Sequence, residues 1–268
     1  MINKGLVLDY MNARIKSDGV TPATVNREAA LLKVMMACAV EWDILDRNPL
    51  HKFRLMKEAP KREVRLSVEE AAALLERLPE NVANIVEFAA YSGLRRENIL
   101  SLEIENLVFH EESGTADIVL KGNRRERVAL CIYAVEVPKR VIGKRKKGYV
   151  FVNPRTGTRY VTIHKSFDKA VRGLGLTVNG TKFRFHDLRH AFAGFLINKN
   201  VGLEAIRSLM KHRNRRTTDR YATIDEEFLR KALEAMPKIE RKNDKKTPDE
   251  SALQLVRSPK WRELARSG

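Results

Sequence analysis

The sequence predicts a mainly α-helical protein with a small antiparallel β-sheet, an α+β fold. Apolar residues recur at helical spacing between clear helix caps along most of the chain. One stretch, residues 116–130, changes instead to short β-branched runs around a glycine turn. The chain has 268 residues, of which 43% are hydrophobic and 32% charged, and this composition is typical of a folded protein of one or two domains.

The N-terminal region is predicted to be a small helical unit. Thr21 and Pro22 make a favourable helix start, because a hydroxyl residue can cap the helix and proline fits its first turn. Apolar residues then recur at helical spacing as far as Trp42. We place this unit at residues 1–57.

A second, larger unit follows a polar and charged segment. That segment, residues 58–66, is the predicted linker. The second unit, residues 67–240, begins with a capping box in which Ser67 precedes Glu70 by three residues. Helices rich in alanine and leucine come next, and Gly93 separates one of them from its successor.

Residues 116–130 are predicted to form a β-hairpin. The runs ADIVL and RVALC are short and β-branched, and Gly122-Asn123 lies in the turn between them. Phe151 and Val152 are candidates for a third short strand.

The end of the second unit carries an apolar stripe at helical spacing, made of Phe228, Leu229, Ala232, Leu233 and Met236. Residues 241–268 are polar and charged, which predicts a loose tail with one short helix near Trp261.

The charge of the chain indicates a polyanionic partner. The formal net charge is +17 and the isoelectric point about 10.0, which suits nucleic acid, with a merely solvated basic surface as the alternative. Cys38 and Cys131 have no Cys or His neighbour at metal-ligand spacing and are predicted core residues in a reducing compartment. With neither a secretory signal nor a run long enough to span a membrane, the expected location is the cytoplasm.

Six residues could together transfer a phosphoryl group: Arg95, Lys121, His186, Arg189, His212 and Tyr221. Each alone is more often a surface or packing residue. Together they offer two guanidinium groups for the phosphate oxygens, histidines for proton transfer, a lysine for the leaving 5′ oxygen and a tyrosine nucleophile. The sequence has no carboxylate cluster suited to Mg²⁺, so we predict a reaction without metal or other cofactor.

Three stretches carry a resemblance to a known family: SGLRRENILSL at 92–102, LKGNRRERVAL at 120–130 and FHDLRHAFAGFLINKNVGLEAIRSLMKHRNRRTTDRYATI at 185–224. They resemble the tyrosine recombinases, or phage integrases, and the resemblance covers residues 64–240. The segment VNREAALLKVMMACAVEWDILDRNPL is similar to the end of that family's core-binding domain. The helical unit is short beside that domain, which predicts a truncated core-binding domain ahead of the catalytic domain.

The resemblance implies a site-specific DNA recombinase or integrase. Arg95 and Arg189 would hold the scissile phosphate, and Tyr221 would attack it to form a 3′-phosphotyrosyl link. Because that link conserves the bond energy, the reaction would need no ATP. The implied partners are double-stranded DNA, further copies of the chain, expected to form a tetramer on DNA, and accessory DNA-bending proteins.

The resemblance also assigns the remaining residues. Lys121 would protonate the leaving 5′ oxygen, with Arg124 and Arg125 as competing cations in the hairpin. His186 would accept the proton of the nucleophile, and His212 would donate a hydrogen bond to the phosphate. The chain departs from the family at Lys211, where a glycine is usual before the second histidine.

Other expectations concern the surroundings of this set. His190, adjacent to Arg189, is expected to point elsewhere and to be structural. By analogy with the family, the apolar stripe is expected to pack partly against a neighbouring protomer, with packing inside the same chain as the alternative. Two basic stretches are candidate phosphate contacts, with a solvated loop as the alternative for the first: Lys144, Arg145, Lys146, Lys147; and Arg213, Arg215, Arg216.

Two alternative functions stay open at this point. One is an inactive DNA-binding remnant of a prophage integrase, which the short N-terminal unit favours and the intact residue set disfavours. The other is a DNA-relaxing enzyme similar to type IB topoisomerases, which share the residue set.

Overall fold

The computed structural model describes residues 2–59, 64–120, 123–210 and 226–240. The chain divides into two compact units, Met1–Arg62 and Glu63–Gly268. The division falls within the predicted linker, residues 58–66. The predicted tail, residues 241–268, lies outside the described residues.

The N-terminal unit is built on two helices. Helix α1 spans Lys4–Asp18, and the Asn3 side chain caps it by accepting a hydrogen bond from the backbone N–H of Leu6 at 3.0 Å. Helix α2 spans Pro22–Glu41, which confirms the predicted start at Pro22. The two helices and the segment after them share a small apolar core of Val7, Met11, Val25, Ala29, Leu50 and Phe53.

The second unit begins with the predicted capping box. The hydroxyl of Ser67 accepts from the N–H of Glu70, and the Glu70 carboxylate accepts from the N–H of Ser67. Helix α3 follows at Val68–Glu76, then α4 at Glu80–Ser92 and the short α5 at Arg96–Leu100. Because α4 is buried on nearly every side, it forms the centre of this unit, and helices α6 (Ile132–Ile142) and α8 (Asp187–Asn198) pack against it.

A three-stranded antiparallel sheet follows α5 in the chain. After a 3₁₀ turn at Ile104–Asn106, strand β1 spans Leu107–Phe109, β2 Ser113–Leu120 and β3 Arg124–Cys131, in the order β1-β2-β3. The pairing of β2 with β3 confirms the predicted hairpin. Ala116, Ile118, Val128 and Leu130 are buried, so this sheet has one apolar face.

The third strand is not where the sequence placed it. Strand β1 precedes the hairpin, whereas Val152 forms only an isolated bridge with Arg159 and Phe151 is a buried core residue. The apolar character of Phe151 reflects its packing on Phe88 of α4, with ring centroids 5.5 Å apart, rather than strand pairing.

The remaining elements are mainly helical. They are α6 at Ile132–Ile142, α7 at His164–Leu174, the two-residue strands β4 Thr177–Val178 and β5 Thr181–Lys182, α8 at Asp187–Asn198, α9 at Leu203–Leu209 and α10 at Glu226–Glu234. This architecture confirms the predicted mainly α fold with a small antiparallel sheet. None of the helices in the described ranges combines the length and apolar character that crossing a membrane requires.

Four of the five residues of the apolar stripe pack within their own chain, and the side chain of Phe228 lies outside the described part of the structure. Leu229, Ala232, Leu233 and Met236 are buried in the core of the second unit, and α10 contacts α9 and β3. The segment after α10 is also anchored, because the N–H of Ile239 donates to the hydroxyl of Tyr91 on α4 at 2.6 Å. For the single chain, the structure therefore favours the alternative of packing within the chain over packing against a neighbouring protomer.

Candidate active site

Arg95 is placed by the turn between α4 and α5. Gly93 ends α4 in the left-handed conformation, with φ of 59°, and Arg95 is the residue immediately before α5. The turn is tight against α8: a Cβ at Gly93 would lie 2.5 Å from the ring of Phe192. Glycine is thus required here both for backbone conformation and for the close approach of Phe192.

The neighbouring Arg96 is already engaged, whereas Arg95 is not. The guanidinium of Arg96 donates two hydrogen bonds to the carboxylate of Glu97, at 2.9 and 3.1 Å, and lies 2.5 Å from the ring nitrogen of His164. Arg95 is exposed and has no ion-pair partner in the described part of the chain. Of these two arginines, Arg95 is therefore the one available to an anion.

His186 and Arg189 are presented by the first turn of α8. The carboxylate of Asp187, which is buried, accepts a hydrogen bond from the N–H of Arg184 at 2.8 Å and so fixes the turn before the helix. His186 is the residue immediately before α8, and Arg189 lies one turn inside it. Both side chains lie close enough to Arg95 for its positive charge to act on them.

The side chain of Arg189 forms hydrogen bonds with the backbone two residues before each of two predicted catalytic residues. Its guanidinium is buried and donates hydrogen bonds to the carbonyl oxygens of Gly93 and Met210. Gly93 leads to Arg95, and Met210 leads to the segment of His212. A guanidinium has five N–H donors, so this geometry leaves others for a ligand.

The buried charge of Arg189 has no carboxylate counter-ion among the residues that the structure describes. Burial, and next the positive charge of Arg95, lower the pKa of Arg189 to about 10. A buried cation beside a second cation is unfavourable unless an anion joins them. The site is therefore suited to a ligand that carries negative charge on several oxygens, such as a phosphodiester.

His186 shares this electrostatic environment. Partial burial is the largest cause that lowers the pKa of His186. His190, Arg189 and Arg95 lower this pKa further, whereas the negative charge of Asp187 raises it. The lowered pKa favours the neutral imidazole of His186, which is the form that can accept a proton.

Comparison with known proteins identifies the family. Residues 64–227 match the model of the phage integrase family. The chain belongs to the phage integrase family. The integrase of Salmonella phage P22 is 30% identical over 226 residues, which cover 76% of this chain and 55% of the relative. The tyrosine recombinase XerC of Proteus mirabilis is 26% identical over 253 residues, which cover 87% of this chain and 80% of the relative.

Solved structures share the fold of this integrase-family chain. A lambda integrase dimer bound to a COC′ core site has a TM-score of 0.64 at 18% identity, over 79% of each chain. The Tn1549 transposon integrase in complex with circular intermediate DNA also has a TM-score of 0.64 at 18% identity, over 87% of this chain and 85% of that one.

The structure brings together Arg95, His186 and Arg189 of the predicted integrase site. The three other catalytic candidates and the second basic stretch lie outside the described residues: Lys121, His212, Tyr221, Arg213, Arg215 and Arg216. Lys211 also lies outside the described residues, so its presence where the family usually has glycine stays an observation from the sequence.

The first basic stretch divides into two kinds of residue. Lys144, Lys146 and Lys147 are exposed on the turn after α6 and are accessible to a phosphate. Arg145 instead donates to the carbonyl oxygens of Tyr149, Val141 and Val150, so its guanidinium holds the turn itself. Any contact of this turn with DNA would thus fall mainly to the three lysines.

Sequence reasoning missed one neighbour of the site. His190 was expected to point elsewhere, but its ring meets that of His186, with centroids 5.3 Å apart and planes at 88°. The spacing from 186 to 190 is that of neighbours on one helix face, so the signal was present in the sequence. Adjacency to Arg189 directs His190 away from Arg189, whereas the four-residue spacing brings its ring to His186.

Proposed function

We propose that this chain is a site-specific DNA recombinase that cleaves and rejoins DNA strands through a 3′-phosphotyrosyl intermediate. The observation that carries the proposal is the buried guanidinium of Arg189, which lies beside Arg95 and lacks a carboxylate within the described ranges. In a chain of the phage integrase family, a scissile DNA phosphate is the anion that best fits this pair.

In this mechanism, Arg95 and Arg189 bind the non-bridging oxygens of the phosphate and stabilise the charge that develops there. The hydroxyl oxygen of Tyr221 attacks phosphorus as the bond from phosphorus to the 5′ oxygen breaks. His186 accepts the tyrosine proton, and its lowered pKa favours the neutral form that is able to do so. The products are a 3′-phosphotyrosine and a free 5′ hydroxyl.

The remaining assignments complete the proton balance. Lys121, from the β2–β3 turn, donates a proton to the leaving 5′ oxygen, and His212 donates a hydrogen bond to the phosphate. A 5′ hydroxyl of a partner strand then attacks the phosphotyrosine and reverses these steps. Because the phosphotyrosyl link conserves the energy of the phosphodiester, we infer that rejoining needs no ATP.

The proposed partners are double-stranded DNA and further copies of the chain. A solved lambda integrase, similar in fold with a TM-score of 0.62, is a tetramer bound to a Holliday junction. A tetramer on DNA is accordingly our proposal here, with DNA-bending proteins as candidate accessory factors. A DNA substrate also makes the cytoplasm the expected location.

The comparisons favour strand exchange over the two alternatives. Several curated relatives are tyrosine recombinases, and another is an integrase. An enzyme that only relaxes DNA and a remnant that only occupies DNA sites both lack this support. If the chain relaxed supercoils without exchanging strands between two sites, the DNA-relaxing enzyme would become the better interpretation.

The experiment that tests this function is a search for covalent protein–DNA adducts. The purified chain is incubated with supercoiled DNA that carries the flanks of its own gene, denatured and resolved on a gel. We expect adducts with the unaltered chain and with the control Tyr149→Phe, and none with Tyr221→Phe, which lacks the nucleophilic hydroxyl. Adducts that persist in Tyr221→Phe would show that Tyr221 is not the nucleophile.

A further inference from the structure

His190 and His186 form a pair of rings at the edge of the candidate site. They are four residues apart at the start of α8, and their planes are nearly perpendicular, at 88°, with centroids 5.3 Å apart. This is the edge-to-face arrangement in which aromatic rings attract one another. Arg189, between them in sequence, turns into the core, so the two rings share the outer side of the helix.

The arrangement matters because His186 has little else to orient it. Its ring has no hydrogen-bond partner among the described residues, and His186 lies before the first turn of α8, where a helix holds its residues least firmly. A proton acceptor acts efficiently only when it is held within hydrogen-bond reach of the donor. The ring of His190 contacts that of His186 and so restricts how the His186 ring can turn.

We infer that His190 is a positioning residue, whose ring holds the His186 imidazole in the orientation in which it accepts the proton of the nucleophile. The inference rests on the proposed function, since it assigns His186 the role of proton acceptor. His190 itself does not touch the reacting atoms in this scheme and acts only through His186.

The charges around His186 give the inference a second consequence. His190, Arg189 and Asp187 face it from α8, and Arg95 faces it from the start of α5. After burial, His190 is the largest of the causes that lower the pKa of His186. Removal of His190 should therefore raise the pKa of His186 towards its ordinary value. His186 would then stay protonated, and unable to accept a proton, up to a higher pH.

The first test measures the titration of His186 directly, by NMR of the full chain without DNA. His186→Gln assigns its signal. We expect the titration midpoint of His186 to rise in His190→Phe, which replaces the imidazole with a ring that cannot carry charge, and to rise further in His190→Ala, which also exposes His186 to water. His110→Ala, a change at an exposed histidine in the β1–β2 turn, is the matched control and should leave the midpoint unchanged.

The second test measures the rate at which each variant cleaves a DNA substrate, as a function of pH. We expect His190→Ala to lower the rate at its alkaline plateau by about tenfold, since a misplaced catalytic group can cost up to about 10²-fold. His190→Phe should stay within about threefold of the unaltered chain, because its ring still restrains His186. In both variants the acid limb of the profile should move to higher pH.

The outcomes separate this inference from the proposed function. An unchanged His186 titration together with an unchanged plateau in His190→Ala would overturn the inference, even while adducts dependent on Tyr221 still form. A folded His190→Phe as slow as His190→Ala would overturn it too, because the ring contact would then not position His186. If the unaltered chain formed no adduct at all, the proposed function would fail, and the NMR midpoints would still report the contact.

Discussion

At the scale of the residue, Arg189 links the structure of the site to its chemistry. Its guanidinium is buried and donates to the backbone carbonyl groups of Gly93 and Met210, which it thereby holds near each other. The same side chain is proposed to bind the phosphate. A substitution at Arg189 should therefore affect both the architecture of the site and the reaction.

We predict that Arg189→Lys slows DNA cleavage by roughly 10²-fold or more, since one preorganised donor in such a site is typically worth about 3–4 kcal/mol. An ammonium group keeps the charge but cannot reproduce the planar fork that reaches both carbonyl groups and the phosphate. Single-turnover cleavage measures the effect. Arg184→Lys, at an exposed arginine ahead of α8, is the matched control and should cleave normally. Near-normal cleavage by Arg189→Lys would remove its proposed role.

Gly93 provides a second prediction at this scale. We expect Gly93→Ala to lower the free energy of unfolding by about 2–4 kcal/mol, because a left-handed backbone strains alanine and the new Cβ would overlap Phe192. Gly175→Ala isolates the backbone contribution: Gly175 is also left-handed, with φ of 64°, and nothing lies within 4 Å of its Cβ position. Denaturant unfolding compares the two. Equal losses would mean that contact with Phe192 contributes nothing.

At the scale of the element, α10 follows the segment of Tyr221, the proposed nucleophile, and packs into the core. It begins five residues after Tyr221, and its apolar stripe packs on α9 and β3. Ile239 then bonds to Tyr91, four residues before Arg95. The packing of α10 should thus help to place the segment that carries the nucleophile.

We predict that Leu233→Ala lowers the free energy of unfolding by about 2–4 kcal/mol, since Leu233 is buried and its loss leaves a cavity. If the stripe packs within its own chain, this loss is the same at every protein concentration. Leu203→Ala, on α9 but exposed, should change stability by less than about 0.5 kcal/mol. Urea unfolding over a hundredfold range of concentration is the measurement. A loss that grows with concentration would indicate that α10 packs against a neighbouring copy.

At the scale of the whole molecule, the two units differ in the size of their cores. The second unit has an extensive apolar core around α4, whereas the core of the N-terminal unit is small. Several large apolar side chains of the N-terminal unit are exposed, among them Leu31, Trp42 and Ile44. Small units bury proportionally less surface and are marginally stable.

We therefore predict that the isolated segment 1–57 is largely unfolded. Circular dichroism should show little helix and no cooperative thermal transition, although Asn3 caps α1 and Pro22 begins α2. The fragment 63–268 is the matched control and should melt cooperatively because it retains the larger core. A cooperative melt of 1–57 alone would contradict the prediction.

Local signals in the sequence were sufficient for much of the fold. The start of α2, the capping box of α3, the break at Gly93 and the hairpin were all predicted, because each depends on residues close together in the chain. The third strand was misplaced because Phe151 is apolar for packing on α4, and an apolar pair of residues cannot distinguish packing from strand pairing.

By itself, the sequence determined the family and the types of residue available for chemistry, since motifs and spacing are local properties. Only the tertiary structure decided which charged side chains are available to a ligand. It placed Arg189 in the core without a carboxylate within the described ranges, occupied Arg96 with Glu97 and His164, and committed Arg145 to its own turn. It also set His190 against His186. These outcomes depend on burial and on contacts between segments distant in the chain, which no local pattern specifies.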